Sequence, residues 1–314
     1  MRRPGACCKV WPRRLQRARG RDGGDMLKGI WISLRPKQWI KNIIVFAGLF
    51  FAEDFLVLNK ILDTVAAFIL FCMASSSGYL VNDVIDRRKD ALHPRKRLRP
   101  IASGAVAPRL AVTLALLLMA AGLAGAWLLN HEFALILAVY LAFTLSYSLF
   151  LKRVIILDVL IIASGFVLRA IGGTIAARES VSSWLIICTI FLSLFLALTK
   201  RRSEVKTLGE KAAEVRTTLA LYSVELLDQM INIVTAACLM AYALYTLDAG
   251  TVDKFATRNL AFTLPFVIYG LFRYLYLVLH LNIGETPETV LTHDRPILIC
   301  ILAYILTVAS ILYF

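Results

Sequence analysis

SSSGYLVNDVIDRRKDALHPRKRLRPIASG, residues 75–104, is where an apolar run gives way first to acids and then to bases. Asn82, Asp86 and Asp90 recur at i, i+4 and i+8, so a helix of about 3.6 residues per turn sets them on one stripe, with Asp83 beside it. Oxygen donors converging from one face suit a hard cation such as Mg2+, which takes a few carboxylates and completes its shell with water and phosphate oxygens. The helix can run on to His93–Pro94, where proline blocks it. Arg95, Lys96, Arg97 and Arg99 follow at once. A metal-bearing acidic cluster beside guanidinium groups can grip one phosphate anion from two sides. A solvated loop would explain the arginines equally well. It would not explain the acids, because Asp orients a membrane chain little and is costly near lipid.

Outward from this segment the chain is apolar: 59% of its 314 residues are hydrophobic and its mean hydropathy is +0.71. A soluble domain holds about 45–50%. Nine stretches approach the roughly 20 residues that span a bilayer: 39–57, 61–82, 108–129, 133–151, 154–176, 182–199, 229–247, 259–281 and 296–314. The first is the weakest, because Glu53 and Asp54 interrupt it. The sequence therefore predicts an all-α polytopic membrane protein. Of 35 Lys and Arg, 29 fall in residues 1–41, 87–109, 152–153 and 200–216 and at Arg295, all at the ends of stretches that face one side, and only Lys60, Arg178, Lys254 and Arg258 fall in the connections on the other. Positive segments stay inside, which predicts a cytoplasmic N-terminus and puts loops 83–107 and 200–228 on the cytoplasmic side. The net charge of +14 thus orients the chain in a membrane, and no nucleic acid partner is expected.

Residues 1–25 carry eight Lys or Arg and no apolar run, unlike a cleavable signal peptide. They read as a disordered extension, either touching anionic headgroups or preceding a true start at Met26, with the catalytic domain over 26–314. The six cysteines have no metal or disulfide spacing and read as structural or incidental.

N-D-x-x-D-x-x-x-D followed by R-x-R-P-I-x-S-G resembles the first signature of the UbiA intramembrane prenyltransferases. The resemblance covers essentially residues 28–314 and implies a bundle of about nine transmembrane helices with its site at the cytoplasmic face of a bacterial plasma membrane. LRPKQWIKN at 34–42, YSLFLKRVIILDVLIIASGFVLRAIGG at 147–173, FLALTKRRSE at 195–204 and HDRP at 293–296 look closest to the decaprenyl-phosphate phosphoribosyltransferase branch. One departure stands out. The loop after the sixth stretch, TKRRSEVKTLGEKAAEVR, lacks the aspartates of the family's second signature and is rich in Lys and Arg, as expected for a donor with an additional phosphate.

The implied reaction moves 5-phosphoribosyl from 5-phosphoribosyl 1-diphosphate to polyprenyl (decaprenyl) phosphate, releasing pyrophosphate, early in lipid-linked arabinose donor and cell-wall arabinan synthesis. Mg2+ would be held by Asn82, Asp83, Asp86 and Asp90. Asp83, Asp86, Arg97, Tyr147 and Lys152 would carry catalysis. Substrate phosphates would meet Lys37, Lys41, Arg97, Arg99, Lys200, Arg201, Arg202 and Arg295, with Glu204 a further metal or ribose-hydroxyl contact. Asp158, Arg169 and Asp294 form a second tier. Asp158 and Arg169 lie inside one apolar stretch, where charge marks either function or a structural partner on a neighbouring helix. Two other readings remain: prenyl transfer from a polyprenyl diphosphate to an aromatic acceptor, and a non-catalytic transporter or lipid-handling protein. The polar residues cluster at one face and not at the midplane, which disfavours the transporter.

Overall fold

The computed structural model describes residues 23–52, 56–92, 96–209, 217–281, 290 and 292–313, which are helical and contain no strand. The long helices are α3 (Leu58–Ile85), α5 (Pro108–Leu129), α6 (His131–Leu149), α7 (Leu157–Ala176), α8 (Ser183–Leu208), α9 (Val224–Leu247), α11 (Leu264–Leu279) and α12 (Arg295–Tyr313). With the 3-10 turn Asn259–Thr263 joined to α11, these give, among the described residues, eight spans long and apolar enough to cross a membrane. Shorter helices are α1 (Gly23–Leu34), α2 (Ala47–Phe50), α4 (Arg87–Leu92) and α10 (Ala249–Phe255).

The ninth expected span, 39–57, is not one helix. A 3-10 helix, Pro36–Phe46, runs into the four-residue α2, and residues 53–55 lie outside the described residues. Arg35 takes a left-handed φ of 55° ahead of Pro36, which breaks the run from α1. At the N-terminus α1 begins at Gly23, and residues 1–22 lie outside the described residues.

Local chemistry sets the helix starts. Asn130 Oδ1 accepts from the Phe133 amide at 3.0 Å, and Ser182 and Ser223 cap α8 and α9 in the same way. Between helices in lipid there is little hydrophobic driving force, so small residues that allow close approach decide the packing. A Cβ on Gly173 would stand 1.8 Å from the Val45 carbonyl oxygen, and one on Gly48 would stand 2.1 Å from Thr174 Oγ1. The 36–50 segment therefore lies directly on α7. Trp39 donates to Ser76 at 3.0 Å and Ser76 to the Leu34 carbonyl at 2.9 Å, so the serine run of α3 anchors the same segment. Ile101 and Val106 are buried against Leu80 of α3 and Ala111 and Ala115 of α5, which fixes the bend that carries Arg99.

Candidate active site

The acids do not form one stripe. α3 ends at Ile85, and Asp86 is its C-cap with φ −85° and ψ 0°, after which α4 takes up the chain. The break sorts the oxygens into two pairs. Lys152 Nζ lies 2.7 and 2.8 Å from the Asp86 oxygens and 3.2 Å from Asn82 Oδ1. Arg99 Nη1 lies 2.7 Å from Asp90 and 3.1 Å from Asp83, which also accepts from Arg35 at 2.6 Å. Asp83 and Asp90 are 3% and 4% exposed, so Asp83 is a full member of the cluster and not its flank. Arg35, which sequence reasoning passed over for Lys37 and Lys41, also lies 4.9 Å over the Tyr79 ring. Its position just before Pro36 was the available signal.

Several expected basic residues stay out. Lys37, Arg97 and Arg295 are exposed and form no hydrogen bond or ion pair with the described residues. Arg97 rides on the solvent-facing turn Lys96–Leu98, whereas Arg99 sits in the bend anchored by Ile101. Arg95 lies outside the described residues.

Residues 200–208 are not loop: α8 continues to Leu208, and helical spacing sends its side chains to different partners. Arg201, 4% exposed, donates to Asp158 at 2.8 Å, to Tyr147 at 3.3 Å and to Glu204. Glu204 is thus paired with Arg201 on the same helix face. Arg202 turns away to Asp228 of α9. Glu210 and Glu214 lie outside the described residues.

Asp158 and Arg169 have separate partners. Asp158, fully buried, accepts from Arg201 and, at 2.8 Å, from Tyr222, whose oxygen accepts from the Ile156 amide at 2.8 Å. Ile156 has φ 67°, strained for a β-branched residue. Tyr222 holds that turn and thereby the start of α7, and burial pushes its phenol up to about 12. No motif marked it. Arg169 donates to Asn42 Oδ1 at 2.6 Å, the Gly165 carbonyl at 2.8 Å and Tyr140 at 2.7 Å. Asp294 pairs with Arg273 at 2.9 Å and accepts from the Ile297 amide at 3.0 Å, tying α11 to the start of α12. The arginine holds its carboxyl below the usual range.

Below the acids lies a cavity of about 420 Å³ lined by the 36–46 segment, α3, α6, α7 and α8. Lys41, Arg169, Lys200, Arg201 and Tyr147 line it, and among the described residues no acid does. It shares Ile44, Thr189, Leu192 and Leu196 with a second, mostly apolar cavity of about 700 Å³.

The profile of the UbiA prenyltransferase family matches residues 42–292. The chain belongs to that family. Two relatives of this UbiA-family protein bear the name decaprenyl-phosphate phosphoribosyltransferase. That of Mycolicibacterium smegmatis is 34% identical over 92% of this chain and 94% of its own length. That of Corynebacterium glutamicum is 32% identical over 92% and 88%. The fold matches a UbiA homolog from Archaeoglobus fulgidus, solved bound to GPP and Mg2+, with a TM-score of 0.71 at 19% identity, covering 91% of this chain and all of that one.

Proposed function

We propose that this protein transfers 5-phosphoribosyl from 5-phosphoribosyl 1-diphosphate to polyprenyl phosphate at the cytoplasmic face of a bacterial plasma membrane. The observation that carries this reading is the near-complete alignment with relatives named decaprenyl-phosphate phosphoribosyltransferase. The cation-lined cavity beside the acidic cluster supports it, because both substrates of that reaction carry phosphate.

Among the described residues no three His, Cys, Asp or Glu side chains form a metal cage by themselves. Asn82, Asp83, Asp86 and Asp90 nonetheless offer only oxygen, the donor type Mg2+ takes when phosphate and water complete its shell. Those residues would hold the ion, and when bound it would neutralise charge that builds on a departing diphosphate. Arg35 and Arg99 keep guanidinium donors at the same cluster, and Lys152 adds a compact cation beside Asp86. The bond from ribose C1 to the diphosphate oxygen breaks, its electron pair leaves with pyrophosphate, and a lipid phosphate oxygen forms the new bond to C1. That oxygen is already anionic at neutral pH, so no general base is required. Positioning and charge stabilisation carry the rate.

Membranes containing the protein, given phosphoribosyl-labelled donor, polyprenyl phosphate and Mg2+, should move label into the lipid fraction. An unlabelled lipid fraction, with prenyl transfer from polyprenyl diphosphate to 4-hydroxybenzoate instead, would assign the aromatic prenylation reaction.

A further inference from the structure

We propose that Arg169 and Lys41 form the seat for the phosphate of the lipid acceptor, with its apolar chain continuing into the larger cavity. Arg169 is 6% exposed in the middle of α7, and its hydrogen bonds to Asn42, Gly165 and Tyr140 all go to neutral groups. The faces of Tyr140 and Phe166 lie 4.6 and 5.4 Å from its guanidinium carbon. No described carboxylate pairs with it. A guanidinium has five N–H donors, so the three in use leave capacity for an anion. Burying a cation among neutral groups inside a membrane is costly unless an anion visits.

The position separates this anion from the diphosphate. Asn42, which orders Arg169, also donates to Cys72 and Ser75 of α3. Counting back along α3 from Asn82, those residues are seven and ten positions away, which at 1.5 Å rise puts Arg169 about 10–15 Å beneath the acidic cluster. That is too deep to share an anion held at Asp86 and leaves room for a sugar between the two. Lys41 lines the same cavity, and Lys200 and Arg201 line it too, although Arg201 is balanced by Asp158 and Glu204. A water-soluble phosphosugar has no use for the adjoining apolar space. A phosphate on a long hydrocarbon chain uses both, because the cavities meet at Ile44, Thr189, Leu192 and Leu196.

The inference rests on the proposed reaction, and the experiment separates the two. Binding of farnesyl phosphate and of farnesol to the purified full-length protein in detergent is compared for wild type, Lys41→Gln and Arg169→Lys. Because Arg169 also ties α6 and the 36–46 segment to α7, the half-exposed Lys41 carries the decisive variant. Wild type should prefer the phosphate by tenfold or more, Lys41→Gln should cut that preference by about tenfold, the loss of one charge contact, and its KM for the phosphoribosyl donor should stay within about twofold. Equal binding of phosphate and alcohol by wild type would overturn the assignment. So would a Lys41→Gln defect that appears in the donor KM alone, which would give the cavity to the sugar's 5-phosphate. A wild-type protein that prefers farnesyl phosphate yet transfers no label would sink the reaction and leave the seat standing.

Discussion

Lys152 Nζ stands 2.7 Å from Asp86 Oδ2, joining the turn after α6 to the end of α3. The lysine is 8% exposed, its place fixed by the 3-10 turn Leu151–Arg153. A buried ammonium that touches Asn82 and Asp86 is placed to act on charge at the proposed diphosphate site. Lys152→Met should lower kcat by about 10²–10³, the range for removing one charge-stabilising donor. Lys152→Arg should recover part of the loss, since charge returns but the compact head does not. Steady-state label transfer measures both, and a Met variant within twofold of wild type would remove Lys152 from the chemistry.

Arg99 bridges Asp83 and Asp90 from 28% exposure, while the acids are nearly enclosed. Breaking a buried pair by removing one partner costs about 3–5 kcal/mol, and the exposed side of this arginine reduces that to roughly 1–3 kcal/mol. Asp90→Asn and Arg99→Gln should each lower the thermal midpoint in detergent. Together they should lower it by less than their sum, with a coupling of at least about 0.5 kcal/mol. Strict additivity would show that the two side chains do not act on one another.

Arg35 and Lys37 stand two residues apart and differ completely: Arg35 bonds Asp83, and Lys37 is exposed. Arg35→Ala should reduce transfer by about tenfold or more, as expected for losing a charge-assisted bond. Lys37→Ala, Arg97→Ala and Arg295→Ala should each stay within about twofold, as surface substitutions do. Parallel donor titrations of the four variants read this directly. If Arg97→Ala fell as far as Arg35→Ala, the outward-facing turn 96–98 would have to close over substrate.

Spacing and hydropathy exposed what repeats along the chain and hid what depends on a bend. Eight spans were legible from apolar length alone, because lipid demands it. The break within 39–57 was not, because over residues 36–50 the chain follows Gly173 and the serines of α3 rather than its own helical period. At the site, residue types were readable but their partners were not. The i, i+4, i+8 rule grouped Asp90 with Asp86, and the break at Asp86 instead gave Asp90 to Arg99 and Asp83. Lys200, Arg201, Arg202 and Glu204 looked like one basic loop, and their helix disperses them to the cavity, Asp158, Asp228 and Arg201 respectively. Tyr222 carried no signal, since its role is to meet a strained turn 66 residues away.

That turn gives a last prediction, with a sign that can be checked. The Tyr222 phenol donates to Asp158 and accepts from Ile156, and burial raises it from 10.0 to about 12. A group with a raised folded-state value contributes stability that is full below its unfolded value and lost as pH rises through the folded one. The contribution should therefore be intact at pH 8 and fall away between about pH 10 and 12. Tyr222→Phe removes both bonds, leaves the Ile156 amide without its acceptor, and should cost about 1–3 kcal/mol at pH 8. Thermal midpoints of wild type and variant, measured from pH 8 to 11 in the same detergent, should converge as alkali is added. The difference cancels the other tyrosines and lysines that titrate in the same range. A gap that stays constant to pH 11 would mean that the phenol's proton plays no part in holding the start of α7.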